Sequence, residues 1–478
     1  MQRLRAAGAV LEERPIALAR FAGVGIVGLL LLFSLFLRLR GINSHLWVDE
    51  GLSVGIARHP LSHIPSLMRQ DGSPPLYYML LHLWISLRGH GEVATHELSL
   101  IFSLLTIPAA YWLGNGIFGR RAGLTAALLA ATVPYLTVYA QETRMYSLLA
   151  LLALVTAGSF VQAFVWRRRL YLPVFVVSLV AALYTHNWAL FLGLMSAIAF
   201  LVVVRGAPAE ERRLLWIDGA IAFGAIALLL GGGAGLLAVR RSGGLRDRWP
   251  LSMGCLLLLG AGTMLVAWTY SKLSPAWAPR YLAVVVGPLI LLFGLGLSRG
   301  GRLAAVALAL TLCFWVFDPM GSSKDRKSNV ASAVKAVKGH VRPGTLVLST
   351  QPEQVPTLAY YLPSGLRYGT PLGPISDPHA FDWRDALSRF KHASLSAVLV
   401  KMVATLQPGQ RVLLLVPLRL EDHPAWMKLI NKASNRWMSA LNHNPSLRRI
   451  TYSAKGQNKA GVPVKATIWV KRGQTASA

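Results

Sequence analysis

The sequence predicts a polytopic α-helical membrane protein followed by a small α/β domain. Two observations carry the prediction. Of 478 residues, 54% are hydrophobic and only 14% charged. Apolar runs of about 17 to 25 residues, the length that crosses a bilayer, recur through the first two thirds and stop near Asp318. A soluble chain of this size needs a charged surface, so an ordinary cytosolic enzyme is excluded, as are a disordered tail protein and a disulfide scaffold. The two cysteines, Cys255 and Cys313, lie inside apolar runs and pack as small hydrophobes. Lys and Arg number 49 against 20 Asp and Glu, a formal charge of +29. The basic residues lie between apolar runs or across the C-terminal region with no nucleic-acid motif, so an anionic membrane surface or a phosphate-bearing lipid is the expected partner.

The first run, Phe21 to Leu37, follows Arg3, Arg5, Arg14 and Arg20 and is too long for a cleaved signal peptide, so it reads as a retained span with a cytoplasmic N-terminus. From Arg38 to Pro75 comes a long polar loop. Further runs cover Leu76 to Leu87, Leu98 to Phe118, Ala122 to Tyr139, Met145 to Trp166, Tyr171 to Tyr184 and Trp188 to Val204. After them come Leu214 to Val239, Leu251 to Tyr270, Tyr281 to Leu297 and Leu303 to Phe317. Basic clusters at Arg120 and Arg121, Arg167 to Arg169, Arg212 and Arg213, and Arg240 to Arg248 read as cytoplasmic. The loop from 38 to 75, Tyr139 to Arg144 and Thr185 to Trp188 then share the outer side.

Two places disturb the alternation. The short run after Pro74-Pro75 is expected partly along the interface. Between Arg213 and Arg240 only about 25 apolar residues are available where a hairpin of spans needs about 40, so this piece is either re-entrant, bending at Gly231-Gly232-Gly233, or flanked by a misassigned basic cluster.

Beyond Asp318, helical Val330 to Lys338, Trp383 to His392 and Pro424 to Leu441 alternate with strand-like Thr345 to Thr350, Arg411 to Val416, Arg449 to Ser453 and Pro463 to Lys471. Arg342-Pro343-Gly344 and Gln407-Pro408-Gly409 are turn signals. The expected domains are 1–318, membrane-embedded with its first outer loop at 38–75, and 319–478, an extracytoplasmic α/β domain. That region carries no Gly-rich phosphate loop, which disfavours a nucleotide there.

Four clusters bring ionisable groups to the outer boundary. WVDEGLS holds Asp49 and Glu50, readable as dipole-complementing residues at a helix start or as a general base in a cleft. QDGSPPLYY holds Asp71, which the prolines and aromatics of an interfacial belt do not explain. YAQETRMY holds Glu142 and Arg144, which could pair with each other because charge near lipid is costly. YTHNW holds His186, an interfacial imidazole that solvation alone could account for. If Asp71, Glu142 and His186 converged they could hold a divalent cation. A fifth segment, KLSPAWAPRYL, places Arg280 and Tyr281 before a span, where the guanidinium either anchors the helix or presents its planar fork to a phosphate.

Taken together, WVDEGLS, DGSPPLYYMLLHLW, YAQETRMYSL, LYTHNW and APRYL, in that order, resemble the polyprenyl-phosphate-dependent glycosyltransferases of the GT-C superfamily. The similarity is to the RgtA/B/C/D-like mannosyltransferase group related to ArnT and protein O-mannosyltransferases, and it covers most of the chain. It implies a GT-C fold of about 10 to 12 spans and transfer of a sugar from a polyprenyl-phosphate donor to an envelope glycan, lipid or protein outside the cytoplasm. The resemblance makes Asp49 the base, Glu50 its support, Asp71 and Glu142 the auxiliary acidic sites, and Arg144, Arg280 and Tyr281 the donor-phosphate contacts. His186 matches a histidine that joins Asp71 and Glu142 at a metal in some relatives. The superfamily contains metal-containing and metal-independent members, and no nucleotide cofactor is implied. The expected location is the plasma (inner) membrane, with active site and C-terminal domain extracytoplasmic. The section from Leu214 to Val239 departs from relatives, which carry more spans there. A lipid or polysaccharide transporter is the alternative from another class, although its ionisable groups would favour the midplane; a non-catalytic envelope-binding scaffold is another.

Overall fold

The computed structural model describes residues 23–231, 249–273, 279–299, 301–317, 329–418, 425–452 and 463–473. The N-terminal arginines, Gly232, Gly233, the cluster from Arg240 to Arg248, residues 274–278 of the fifth segment and residues 318–328 lie outside the described residues.

The described residues begin with five helices: α1 (Gly23–Leu39), α2 (Val48–Ala57), α3 (Ile64–Asp71), α4 (Leu76–Arg88) and α5 (Glu92–Phe118). The chain divides into two compact units. One comprises Met1–Arg40, Glu97–Gln141 and Met145–Met320; the other comprises Gly41–His96, Glu142–Arg144 and Gly321–Ala478. The loop after α1 therefore groups with the C-terminal sheet, whereas hydropathy alone assigns it to the membrane region.

The first unit is helical. Among the described residues, five helices are long and apolar enough to cross a membrane by length and composition: Glu92–Phe118, Tyr146–Val165, Ala189–Gly206, Leu251–Ser271 and Arg280–Ser298. Gly23–Leu39 and Arg169–Leu183 are apolar but shorter. The run expected from Ala122 to Tyr139 is two helices, Arg120–Thr132 and Pro134–Tyr139, because Val133 precedes a proline and adopts ψ 124°. The expected piece at Leu214 to Val239 is helical over its described part, within Ala209–Gly231. Val24, Leu29 and Leu32 of α1 are all about two-thirds exposed, an apolar surface suited to a hydrocarbon solvent. Polar side chains turn inward and bond across helices: Ser34 Oγ donates to the Ala131 carbonyl at 3.0 Å, and Thr156 Oγ1 to Ser178 Oγ at 3.0 Å. Arg38, expected to begin the loop, instead ends α1 fully buried. Its guanidinium donates to the carbonyls of Ser103 and Ala130 at 3.0 and 2.8 Å. A buried cation near lipid is tolerated because backbone acceptors partner it.

The second unit is built on a six-stranded sheet of order β3-β2-β1-β4-β6-β5, formed by β1 (Leu346–Ser349), β2 (Arg367–Thr370), β3 (Gly373–Ile375), β4 (Arg411–Pro417), β5 (Leu447–Tyr452) and β6 (Val464–Lys471). β1 runs parallel to β2 and β4, and the remaining pairs are antiparallel. Its central strands are apolar on both faces because helices cover both. Leu346, Leu348, Val412 and Leu414 join a core with Leu399, Ile430 and Trp437 from helices Leu395–Ala404 and Ala425–Asn442. Val347, Leu413 and Leu415 face the other way, toward Val334 and Leu358 of helices Val330–Val337 and Val355–Tyr361. Both expected turns end on glycines with positive φ, Gly344 at 82° and Gly409 at 81°. The helix expected from Trp383 starts at Ala386, since Asp382, Arg384 and Asp385 fold into a turn with Asp385 at φ 50°.

Candidate active site

In the second unit, α2 carries the first acidic pair. The helix starts at Val48, so Asp49 and Glu50 lie in its first turn, where the dipole favours negative charge. The two neighbours have different surroundings. Glu50 is fully buried. Its Oε1 is 2.7 Å from His96 Nε2 and accepts the Thr143 N–H at 2.8 Å, while Oε2 accepts the Trp47 N–H at 3.2 Å. His96 in turn places Nδ1 2.7 Å from the Ile42 carbonyl. Glu50 thereby ties the start of α2 to His96 at the start of α5 and to the segment 142–144.

Asp49 keeps 24% of its side chain exposed, and its Oδ2 is 3.8 Å from Arg144 Nη2. Arg144 is turned toward α2: its Nη1 donates to Ser53 Oγ at 3.1 Å and to the Asp49 carbonyl at 3.3 Å, and lies 3.5 Å from the Tyr78 hydroxyl. Arg144 makes an ion pair with Asp49, 95 residues away, and its backbone N–H donates to the Glu142 carbonyl at 2.8 Å. Asp71 closes α3 ahead of Gly72, which takes φ 86°. Burial holds the Asp71 carboxyl above its ordinary range and the charge of Asp49 adds to this, against a bond from Ser73 and the field of Arg144. One unit thus gathers Asp49, Asp71 and Arg144 within electrostatic reach. Ser53 and Tyr78 lie within WVDEGLS and QDGSPPLYY but carried no site role in the sequence reading, and His96 escaped it, since a histidine inside a helix has no local signature.

The first unit gathers the other expected residues. His186 lies 6.0 Å from the Tyr146 ring and 5.1 Å from Tyr281, and Trp188 lies 4.8 Å from Tyr281. Arg280 stacks over Tyr281 at 5.5 Å, and its carbonyl accepts the Tyr135 hydroxyl at 2.5 Å. LYTHNW and APRYL, 90 residues apart, therefore meet. The Trp188 backbone N–H donates to His186 Nδ1 at 3.1 Å, so Nδ1 is an acceptor. Among the described residues no group of three or more His, Cys, Asp or Glu side chains is arranged to hold a metal ion, and Asp71, Glu142 and His186 form no such group.

Residues 72–230 match the family model of dolichyl-phosphate-mannose-protein mannosyltransferases. No curated protein sequence matches the chain. Two crystal structures of ArnT from Cupriavidus metallidurans share its fold. The apo form has a TM-score of 0.59 and 15% identity, covering 94% of this chain and 98% of that one. The form bound to undecaprenyl phosphate has a TM-score of 0.55 and 13% identity, covering 93% and 97%.

Proposed function

We propose that this chain, a GT-C superfamily membrane protein, is a glycosyltransferase that takes a sugar from a polyprenyl-phosphate donor and passes it to an acceptor outside the cytoplasm. The observation that carries the reading is the division of labour on α2. Glu50 is saturated by backbone and imidazole donors, while Asp49 retains a solvent-accessible carboxylate beside a guanidinium. The fold shared with the undecaprenyl-phosphate-bound ArnT supports the donor class.

In this reading Asp49 takes the proton of the acceptor hydroxyl as its oxygen bonds to the anomeric carbon, and the bond from that carbon to the phosphate oxygen breaks with inversion. Negative charge grows on the departing lipid phosphate. Fixed guanidinium groups stabilise such charge without reorganising, which is the role proposed for Arg144 and Arg280, with Tyr281 stacked against the latter. Asp71 and Glu142 add acidic surface. Activation is complete in the lipid-linked sugar, so no nucleotide is required. Loss of turnover on exhaustive chelation would assign Asp71, Glu142 and His186 the divalent cation that the resemblance allows, and unchanged turnover would remove it from the mechanism.

The proposed arrangement is about 10 to 12 spans in the inner membrane with the C-terminal sheet outside. A cysteine placed at Ser439 should label with a membrane-impermeant thiol reagent in intact cells; labelling only after lysis overturns this topology. The function is tested by incubating purified protein with a panel of synthetic polyprenyl-phosphate sugars and envelope extract, and identifying the product by mass spectrometry. No sugar release from any donor would return the chain to the transporter or scaffold class.

A further inference from the structure

We propose that Trp383 and Trp426, backed by Glu353 and Gln351, form a binding subsite for a sugar ring of the acceptor, so that the acceptor is itself a glycan or carries one. This names the substrate class of the transfer proposed above and rests on that reading.

Four aromatic rings gather beside the sheet. Trp383 lies 5.5 Å from Trp426 and 4.8 Å from Phe381, and Phe390 is 5.2 Å from Trp426. Phe390 and Phe381 are buried, but Trp383 is 38% exposed. Behind the rings sits Glu353, in the turn Pro352–Gln354 that packs against α2. Its Oε1 accepts the Trp426 indole N–H at 3.0 Å and the Gln351 amide at 3.1 Å, fixing the orientation of Trp426. Its Oε2, together with Gln351 Oε1 and Gln354 Nε2, is buried with no hydrogen-bond partner among the described residues. A packing cluster would bury its largest ring and leave no polar atom unsatisfied; this one does neither.

The chemistry selects the ligand. A sugar ring has apolar C–H faces that pack on indole and a rim of hydroxyls that both donate and accept, as a carboxyl group and primary amides require. A phosphate or carboxylate ligand would be repelled by Glu353. The position suits an acceptor. The Trp383 N–H donates to the Gln70 carbonyl at 3.0 Å, one residue before Asp71, and the charge of Asp49 reaches Glu353, whose carboxyl burial and that charge push upward. The platform and the proposed base belong to the same compact unit.

The test uses the full chain in detergent, titrated with mannotetraose, cellotetraose and N-acetylchitotetraose while tryptophan fluorescence and calorimetry are followed. Saturable binding of at least one tetrasaccharide is expected. Trp383→Ala should weaken it roughly tenfold, the worth of one aromatic contact, and Trp383→Phe should restore part of it. Thermal unfolding of the variants checks their folding. Absence of binding at millimolar tetrasaccharide, or equal binding by Trp383→Ala, overturns the subsite. Because this readout needs no donor, failure of every lipid-linked sugar in the transfer assay remains a separate result.

Discussion

The two ends of α2 each join a carboxylate to a cation, and they are built for different tasks. At the first turn, Asp49 faces Arg144 at 3.8 Å. Just past the last turn, His59 places Nε2 3.0 Å from Asp377 Oδ2, with Nδ1 3.0 Å from the Gly55 carbonyl and 3.3 Å from that of Ile56. Both ring nitrogens of His59 face acceptors, an arrangement that favours the imidazolium form and raises its pKa. A guanidinium never surrenders its proton at working pH, which keeps Asp49 beside a permanent charge; an imidazolium does, which makes the second tie conditional. The difference teaches that the partner's chemistry separates the proposed catalytic pair, charged at any working pH, from an anchor that pH can release.

The largest expected effect comes from breaking the first end. Asp49→Asn keeps shape and hydrogen bonding but removes the basic oxygen, so turnover should fall by roughly 10² to 10⁴ while donor binding persists. Near-normal turnover in that variant, with loss in Glu50→Gln or Glu142→Gln, would move the base elsewhere.

Glu50→Ala attacks the same turn through folding. It strips His96 and the Thr143 N–H of their shared buried carboxylate, and a loss of about 3 to 5 kcal/mol is expected, read as a lowered unfolding temperature in detergent. Glu50→Gln, which keeps an acceptor oxygen, should cost less.

Gly51 and Gly55 line one face of the helix between its ends. A Cβ on Gly51 would collide with the Thr357 side chain and backbone, and one on Gly55 with the His379 carbonyl. Gly55→Ala should therefore destabilise by about 1 to 3 kcal/mol as an overpacked contact. An unchanged unfolding temperature would show that the backbone yields there.

The smallest effect sharpens the second end. The bond to Asp377 raises the His59 pKa and lowers that of Asp377. The histidine term is fully present below its unfolded value of 6.5 and is lost as pH rises through the raised folded value. The aspartate term is present above 3.8 and is lost as pH falls through the lowered one. Arg58 and His379 also face this cluster, and His379 is held below its ordinary range by burial and by Arg58. Because the pair is partly exposed, about 0.5 kcal/mol is at stake. Unfolding temperatures of the wild type and Asp377→Asn, measured from pH 5 to 9, should converge at the alkaline end; a constant gap would contradict the pairing.

Much of the architecture was legible because it rests on local chemistry. Apolar runs marked the helices of the first unit, the short apolar run Arg411 to Val416 marked a strand, and the two Pro-Gly turns took the expected left-handed glycines. The short strands β2 and β3 and the helices Val355–Tyr361 and Leu395–Ala404 were missed, being too brief for periodicity to separate from loop. The break at Pro134 cut a run that hydropathy had joined.

Of the site, the residue types and their order along the chain were written in the sequence, because charge near lipid is rare and each cluster stands out against apolar flanks. Which carboxylate is saturated and which keeps water was decided only by tertiary structure. Glu50 finds His96 46 residues away, Asp49 finds Arg144 across 95, and His59 finds Asp377 across 318. Hydrophobic burial follows from composition and short periods. The choice of an ion's partner depends on distances of a few ångströms between segments that no local pattern relates, and only the folded chain supplies them.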